Sequence, residues 1–131
     1  PADPEILAAS DASADGGEAR KELERYGGER WNANRIASLI QSAADWARKH
    51  DVPLICDEFG VYAEFAPPES RLRWIADVRK TLERAGIGWT MWDYAGGFRL
   101  VRPRAEGELR LDDGIAEALG LTPLETSVGD D

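Results

Sequence analysis

The sequence predicts an α/β fold in which parallel strands are joined through a helix, and three observations carry that reading. Val52-Pro53-Leu54-Ile55-Cys56-Asp57-Glu58-Phe59-Gly60 and Ile87-Gly88-Trp89-Thr90-Met91-Trp92 are short runs rich in β-branched and aromatic residues, each opening into a polar or glycine-containing loop. Before and between them apolar residues recur three and four apart, the period of a helix with one buried face. The returns from helix to strand are short, while the path from the first strand to the second passes through a whole helix, the connection that parallel neighbours need. The first run is apolar on both parities, which predicts a strand over about 52–58 buried on both faces. The second run predicts a strand over about 87–92.

Residues 1–30 read as an irregular or short-helical excursion. Pro1 to Ala9 allows a helical turn, and Ser10 to Gly17 is a loop of small residues. Glu18 to Tyr26 predicts a short helix burying Ala19, Leu23 and Tyr26, stopped by Gly27-Gly28. From Asn32 or Asn34, either of which can cap, a stronger helix follows. Its buried face is Ile36, Leu39, Ile40, Ala43, Trp46 and Ala47, and Lys49-His50 complement the dipole in the last turn. Trp46 reads as core. His50, the one histidine, stands at the wrong end of the first strand to meet Glu58 and reads as structural or solvated.

Val61 to Pro68 is a loop carrying Tyr62 and Phe65, and Pro67-Pro68 resists further strand. The helix about Glu69 to Ala85 buries Leu72, Ile75, Val78 and Leu82, with Trp74 at the core or its edge. Arg71, Arg73, Arg79, Lys80 and Arg84 fall mostly on the other faces, and Gly86 is placed to cap. Asp93 to Phe98 forms the loop after the second strand. Arg99 to Val101 and Glu108 to Leu111 predict a small hairpin. Asp113 to Leu119 is a last short helix, capped through Asp112 or Asp113 and stopped by Gly120, before a flexible tail over 122–131.

Composition bounds the function. The 131 residues suffice for one core, well short of the roughly 250 that a closed eight-stranded α/β barrel needs. A net charge of −9 speaks against nucleic acid as a partner. No apolar run is long enough to span a membrane, and no membrane partner is expected. A sequence beginning at Pro1 leaves localisation open, with a parent protein either secreted or cytoplasmic. The single Cys56 excludes an internal disulfide and reads as a small buried hydrophobe. There is no glycine-rich phosphate loop after a strand, no clustered metal ligands and no nucleophile elbow with a partner histidine. No cofactor and no metal are expected.

What remains is a carboxylate at the mouth of a strand. Strict alternation puts Leu54, Cys56 and Glu58 on one side of the first strand and Gly88, Thr90 and Trp92 on one side of the second. Parallel strands bring their carboxyl ends to the same edge, so Glu58 and Trp92 border one cleft. A sugar ring stacks its apolar C–H face on indole, and a carboxylate can attack the anomeric carbon. Glu58 equally fits a helix cap or an arginine partner. Asp57 points the other way and reads as a structural or supporting acid; Asp93 either binds substrate hydroxyls or caps its own loop. Glu64 and Glu69 are the other acids on that side, and Trp31 either packs locally or reaches the mouth of the cleft. Glycosidase chemistry needs a second carboxylate, about 5 Å away for retention or 6.5 to 9.5 Å for inversion, and no residue has a clear claim to that place. A non-catalytic carbohydrate-binding or structural module is the alternative.

These stretches resemble a known family. V-P-L-I-C-D-E-F-G (52–60) and G-W-T-M-W-D-Y-A-G-G-F-R-L (88–100) are similar to the seventh and eighth barrel strands of glycoside hydrolase family 5, the bacterial endoglucanases and related β-glycanases. Trp31 to His50 resembles the sixth barrel helix and Ser70 to Ala85 the seventh, so that the likeness runs from about Trp31 to Leu121. It implies the carboxyl-terminal fragment of a (β/α)8 TIM barrel, with 31–121 a partial barrel unit. It further implies Glu58 as the catalytic nucleophile of a retaining mechanism, with Trp92 beneath the sugar at the cleavage point and the loops Tyr62 to Phe65 and Asp93 to Phe98 shaping the cleft. The Asn-Glu pair that carries the family's acid/base, its strand-borne arginine, its histidines and the His-x-Tyr of the sixth strand have no counterpart here. The resemblance therefore implies a β-glycan or oligosaccharide as substrate, no activity for this chain alone, and either a complementary barrel segment or self-association to cover its open edges. Which glycan it takes is left open.

Overall fold

The computed structural model describes residues 16–104 and 107–121; the turn expected at Pro1 to Ala9 and the tail over 122–131 lie outside them. The chain divides into two compact units between Ile36 and Ala37, and each is taken by itself.

In the first unit, α1 (Gly16–Glu29) runs straight through Gly27-Gly28, which were expected to end it. Arg25 ties the helix together across that pair, bonding Glu22 on one side and Glu29 at 3.2 Å on the other. The helix stops instead at Arg30, which turns left-handed (φ 49°). Ala19 and Leu23 are half-buried, but Tyr26, expected inside, is exposed and stacks on Trp31. Of the two candidate caps it is Asn32 that serves: its Oδ1 accepts the amides of Asn34 and Arg35, both at 3.1 Å.

The helix so begun, α2 (Ala33–His50), carries Arg48, Lys49 and His50 in its last turn. Asp51 closes it in the left-handed region (φ 52°), with the Val52 amide reaching back to Ala47 O. In the second unit only part of its apolar side is covered. Ala44 and Ala47 are buried and line, with Leu54 and Ile87, the groove toward the strand entries. Leu39, Ala43 and Trp46, expected in the core, are exposed, Leu39 by 50% and Trp46 by 55%. Their stripe lies about 100° around the helix from the buried one, so α2 packs through its small residues and leaves its large ones uncovered.

The strand β1 (Ile55–Phe59) pairs in parallel with β2 (Gly88–Met91), each shorter at its amino end than the apolar run that predicted it. Ile55 is opposite Gly88 and Cys56 opposite Trp89, yet the next partners are Phe59 and Met91. Three steps on β1 match two on β2, so β1 carries one extra residue around Asp57-Glu58, a bulge that breaks the strict alternation assumed from sequence. The strand is also not buried on both faces: Ile55 is 64% exposed. The sheet has two strands, and α3 (Pro68–Arg84) packs against β2.

Helix α3 starts with Pro68 at its first position, where a missing amide costs nothing, and Gly86 (φ 70°) follows it. It packs on β2 and on the short α4 (Asp113–Ala118). Ile75, Val78 and Leu82 meet the core there, with Phe59, Ile87, Val101, Ile115 and Leu119 also buried. Two of its arginines depart from the expected solvent faces. Arg71 is only 6% exposed, and Arg79 lays its guanidinium against the end of α4, donating to Ala118 O at 3.2 Å while pairing with Glu83. The hairpin forms from β3 (Val101–Pro103) and β4 (Leu109–Leu111). Asp112 caps α4, accepting from the amides of Gly114 (3.1 Å) and Ile115 (3.2 Å) and from Arg102.

Burial alone would raise the Asp112 carboxyl, but the Arg102 bond and the two cap amides outweigh it and hold the group below the ordinary carboxylate value. A lowered folded value means stability that is present above the unfolded value of about 4 and lost as pH falls through the folded one. Asp112→Ala is expected to cost about 1 kcal/mol at neutral pH. In urea unfolding followed by tryptophan fluorescence, the gap to wild type should narrow as pH falls below about 4, and a gap independent of pH would contradict the assignment.

Candidate active site

Glu58 is presented by what surrounds its backbone. Phe59, the next residue, is buried with its ring against Trp74 (6.5 Å between centroids) and edge-on to Trp89 (5.6 Å). The Phe59 carbonyl accepts the Trp92 amide at 2.9 Å, and the carbonyl of Asp57 accepts the Thr90 hydroxyl. The Cys56 thiol donates to the Glu58 carbonyl at 3.5 Å. The main chain is thus held before, at and after the bulge, while the Glu58 side chain is exposed and has no hydrogen bond or ion pair among the described residues. A carboxylate so fixed at its root and free at its tip can act on a ligand.

Trp92 follows β2 immediately, is 50% exposed, and is joined to Asp93 by a cis peptide. Gly60 lets it come close. A Cβ built on Gly60 would stand 2.1 Å from the Trp92 carbonyl oxygen and 3.2 Å from the Phe98 ring, so no larger residue fits while Trp92 keeps its place.

The two loops beyond the strands are bound to each other. Ala63 N donates to Gly97 O at 2.8 Å, and the Tyr62 ring lies on Gly97, edge-on to Phe98 and stacked with the exposed Phe65. The Tyr62 hydroxyl donates to Glu64 at 3.2 Å. Asp93 caps its own loop, its Oδ1 accepting the Gly96 amide at 3.1 Å and its carbonyl the Leu100 amide. Beneath both loops Arg71 donates to Val61 O (3.0 Å), Phe98 O (2.7 Å) and Arg99 O (2.9 Å). Burial lowers its pKa, and Asp112 at longer range pulls it partly back.

Glu58, Trp92, Tyr62 and Asp93 therefore gather at the carboxyl ends of β1 and β2. Trp31 belongs to the first unit, where its indole N–H donates to Glu29 at 2.8 Å and Arg35 lies over its ring. Asp57 is exposed and holds Thr90 through its carbonyl, not its carboxylate. Cys56 is half-buried, and burial raises its thiol, which suits a packing residue. The His50 ring lies tilted against Trp46, before β1 begins. Among the described residues no three His, Cys, Asp or Glu side chains converge to hold a metal ion. The residue that sequence reasoning missed is Arg71, yet its position carried a signal: 71, 75, 78 and 82 follow the helical period, so Arg71 extends the stripe of Ile75, Val78 and Leu82.

No family model matches the chain. Endoglucanase 3 of Fibrobacter succinogenes is 33% identical over 86 residues, 66% of this chain and 12% of that protein. A solved hyperthermophilic endo-β-1,4-glucanase in complex with substrate superimposes with a TM-score of 0.60 at 31% identity, covering 71% of this chain and 29% of its own. Thermotoga maritima Cel5A, in complex with mannotriose, matches 91% of this chain and 37% of its own with a TM-score of 0.61; at 21% identity it speaks to fold alone. The chain spans well under half of each of these proteins. It is similar in sequence and in α/β fold to part of cellulase-like endoglucanases.

Proposed function

We propose that this chain is the nucleophile-bearing part of a retaining β-glucan hydrolase of the glycoside hydrolase family 5 type. The observation that carries the reading is the free carboxylate of Glu58, set out by a bulge and tied through Phe59 O to the Trp92 amide. Trp92 supplies the face on which a sugar ring stacks, and Glu58 attacks the anomeric carbon to form a glycosyl ester. A second carboxylate protonates the departing oxygen and then activates water. No described residue is placed for that role, so it comes from further β/α units that complete the barrel. The uncovered stripe of Leu39, Ala43 and Trp46 and the exposed Ile55 support such a cover, since a leucine or isoleucine side chain gains about 1.5 to 3 kcal/mol on full burial.

Three outcomes follow. The purified 131-residue chain should release no reducing sugar from cello-oligosaccharides above background. Mixed or co-expressed with the segment of an endo-β-1,4-glucanase that carries the acid/base strand, it should become active, and Glu58→Gln should abolish that activity. Hydrolysis by the chain alone, lost in Glu58→Gln, would overturn the division of roles.

Cellotriose binding, followed by NMR of the indole N–H signals, should survive Glu58→Ala and weaken about tenfold or more in Trp92→Ala. Gly60→Ala should weaken it comparably, by displacing Trp92. Binding retained without Trp92 would remove the platform from the site.

Light scattering of the isolated chain should show association that rises with concentration and is reduced by Leu39→Gln with Trp46→Gln. A well-folded monomer at every concentration would show that the uncovered stripe needs no partner.

A further inference from the structure

Arg71 is the buried charge among the described residues, and no carboxylate touches it. Its three acceptors are backbone carbonyls. One, Val61, lies in the loop after β1; two, Phe98 and Arg99, lie in the loop after β2. Burying a guanidinium is costly unless its donors are satisfied, and here Nε and Nη2 are satisfied only while both loops hold their present separation. The planar fork of five fixed donors suits this task, because one Arg can address two chain segments at set angles where a lysine ammonium is a single point charge. The contacts also ignore the identity of the loop side chains, which leaves the exposed Trp92 indole free for a ligand.

We propose that Arg71 is the positioning residue of the site, a clamp from α3 that holds the two strand-end loops as one body and so fixes Trp92 and Tyr62 relative to Glu58. The proposal rests on reading the site as glycan-binding for its consequence, but not for its mechanism. The loops are already joined at Ala63 N to Gly97 O and by the Tyr62 ring on Gly97. Arg71 lies under both, and the Phe59 to Trp92 bond carries the same constraint back to β1. If the clamp acts, the two loops open together and not one at a time.

Amide hydrogen exchange on the full chain tests this without any variant. The amides of Ala63, Trp92, Leu100 and Val101 should report one common opening, separate from the slower Ile87, whose bond to Leu82 O lies in the core. Independent openings in the two loops would overturn the clamp. Arg71→Lys keeps the charge and removes the fork; it should speed exchange of the four loop amides at least tenfold and leave Ile87 unchanged. Acceleration of Ile87 to the same degree would reduce Arg71 to a general stabiliser, and unchanged loop amides would also overturn the proposal. Cellotriose affinity should fall about tenfold in Arg71→Lys although Arg71 does not reach the ligand. Failure of wild type to bind cellotriose would sink the glycan reading alone, because the exchange pattern judges the clamp by itself.

Discussion

The burial of Phe59 is the constraint on which the site depends. A parallel strand that ended in regular alternation would have to choose which of its last residues to bury, and here the aromatic takes the core place between Trp74 and Trp89. The extra residue that the bulge inserts lets Asp57 and Glu58 both remain outside while the strand still reaches the pairing of Phe59 with Met91. The same residue offers its carbonyl to Trp92, so one anchored side chain determines both where the carboxylate emerges and where the indole begins. Bulges recur beside functional sites because they re-aim a side chain without giving up the ladder beyond them.

The core is displaced to one side of the two-stranded sheet. Ile75 and Ile115 are wholly buried between α3 and α4, and Arg79 joins these helices by a bond to the Ala118 carbonyl at the end of α4. Elsewhere Ile55 is open, and α2 shows its large residues to solvent. The asymmetry is physical: a helix covers one face of a narrow sheet, and a second face needs further elements before it can be buried.

Much of this was legible in the sequence where local rules decide. The helices over 33–50 and 68–84, the parallel pair, the hairpin near 101–111, and the glycines at 86 and 120 follow from period, turn chemistry and caps. Apolar pattern alone could not tell covered from uncovered faces, because it records what a position is suited to bury and not what is present to bury it. Leu39, Trp46 and Ile55 were misjudged for that one reason. The bulge was illegible for another: register depends on the partner strand, and nothing local to Asp57-Glu58 announces an extra residue. Arg71 was hidden by its charge, which overrode a position that the helical period placed on the buried stripe. For the site, Glu58, Trp92 and Tyr62 were found as types at strand ends, but the bonds that hold them run through backbone carbonyls and amides, on which side-chain identity is silent.

Under the proposed reading, the uncovered face and the incomplete chemistry are one deficit. A carboxylate exposed to water is well hydrated, and that hydration must be removed before it attacks a sugar, which is the step an enclosed site prepares by replacing water with fixed dipoles. Nothing among the described residues excludes water from Glu58. The elements that would bury Ile55 and the Leu39, Ala43 and Trp46 stripe are further strands and helices on the same sheet. Strands added in parallel present their carboxyl ends at the edge where Glu58 and Trp92 stand. Burial of the apolar face therefore brings the second carboxylate and the wall of the cleft to the site in the same event, so folding energy and catalytic competence are gained together.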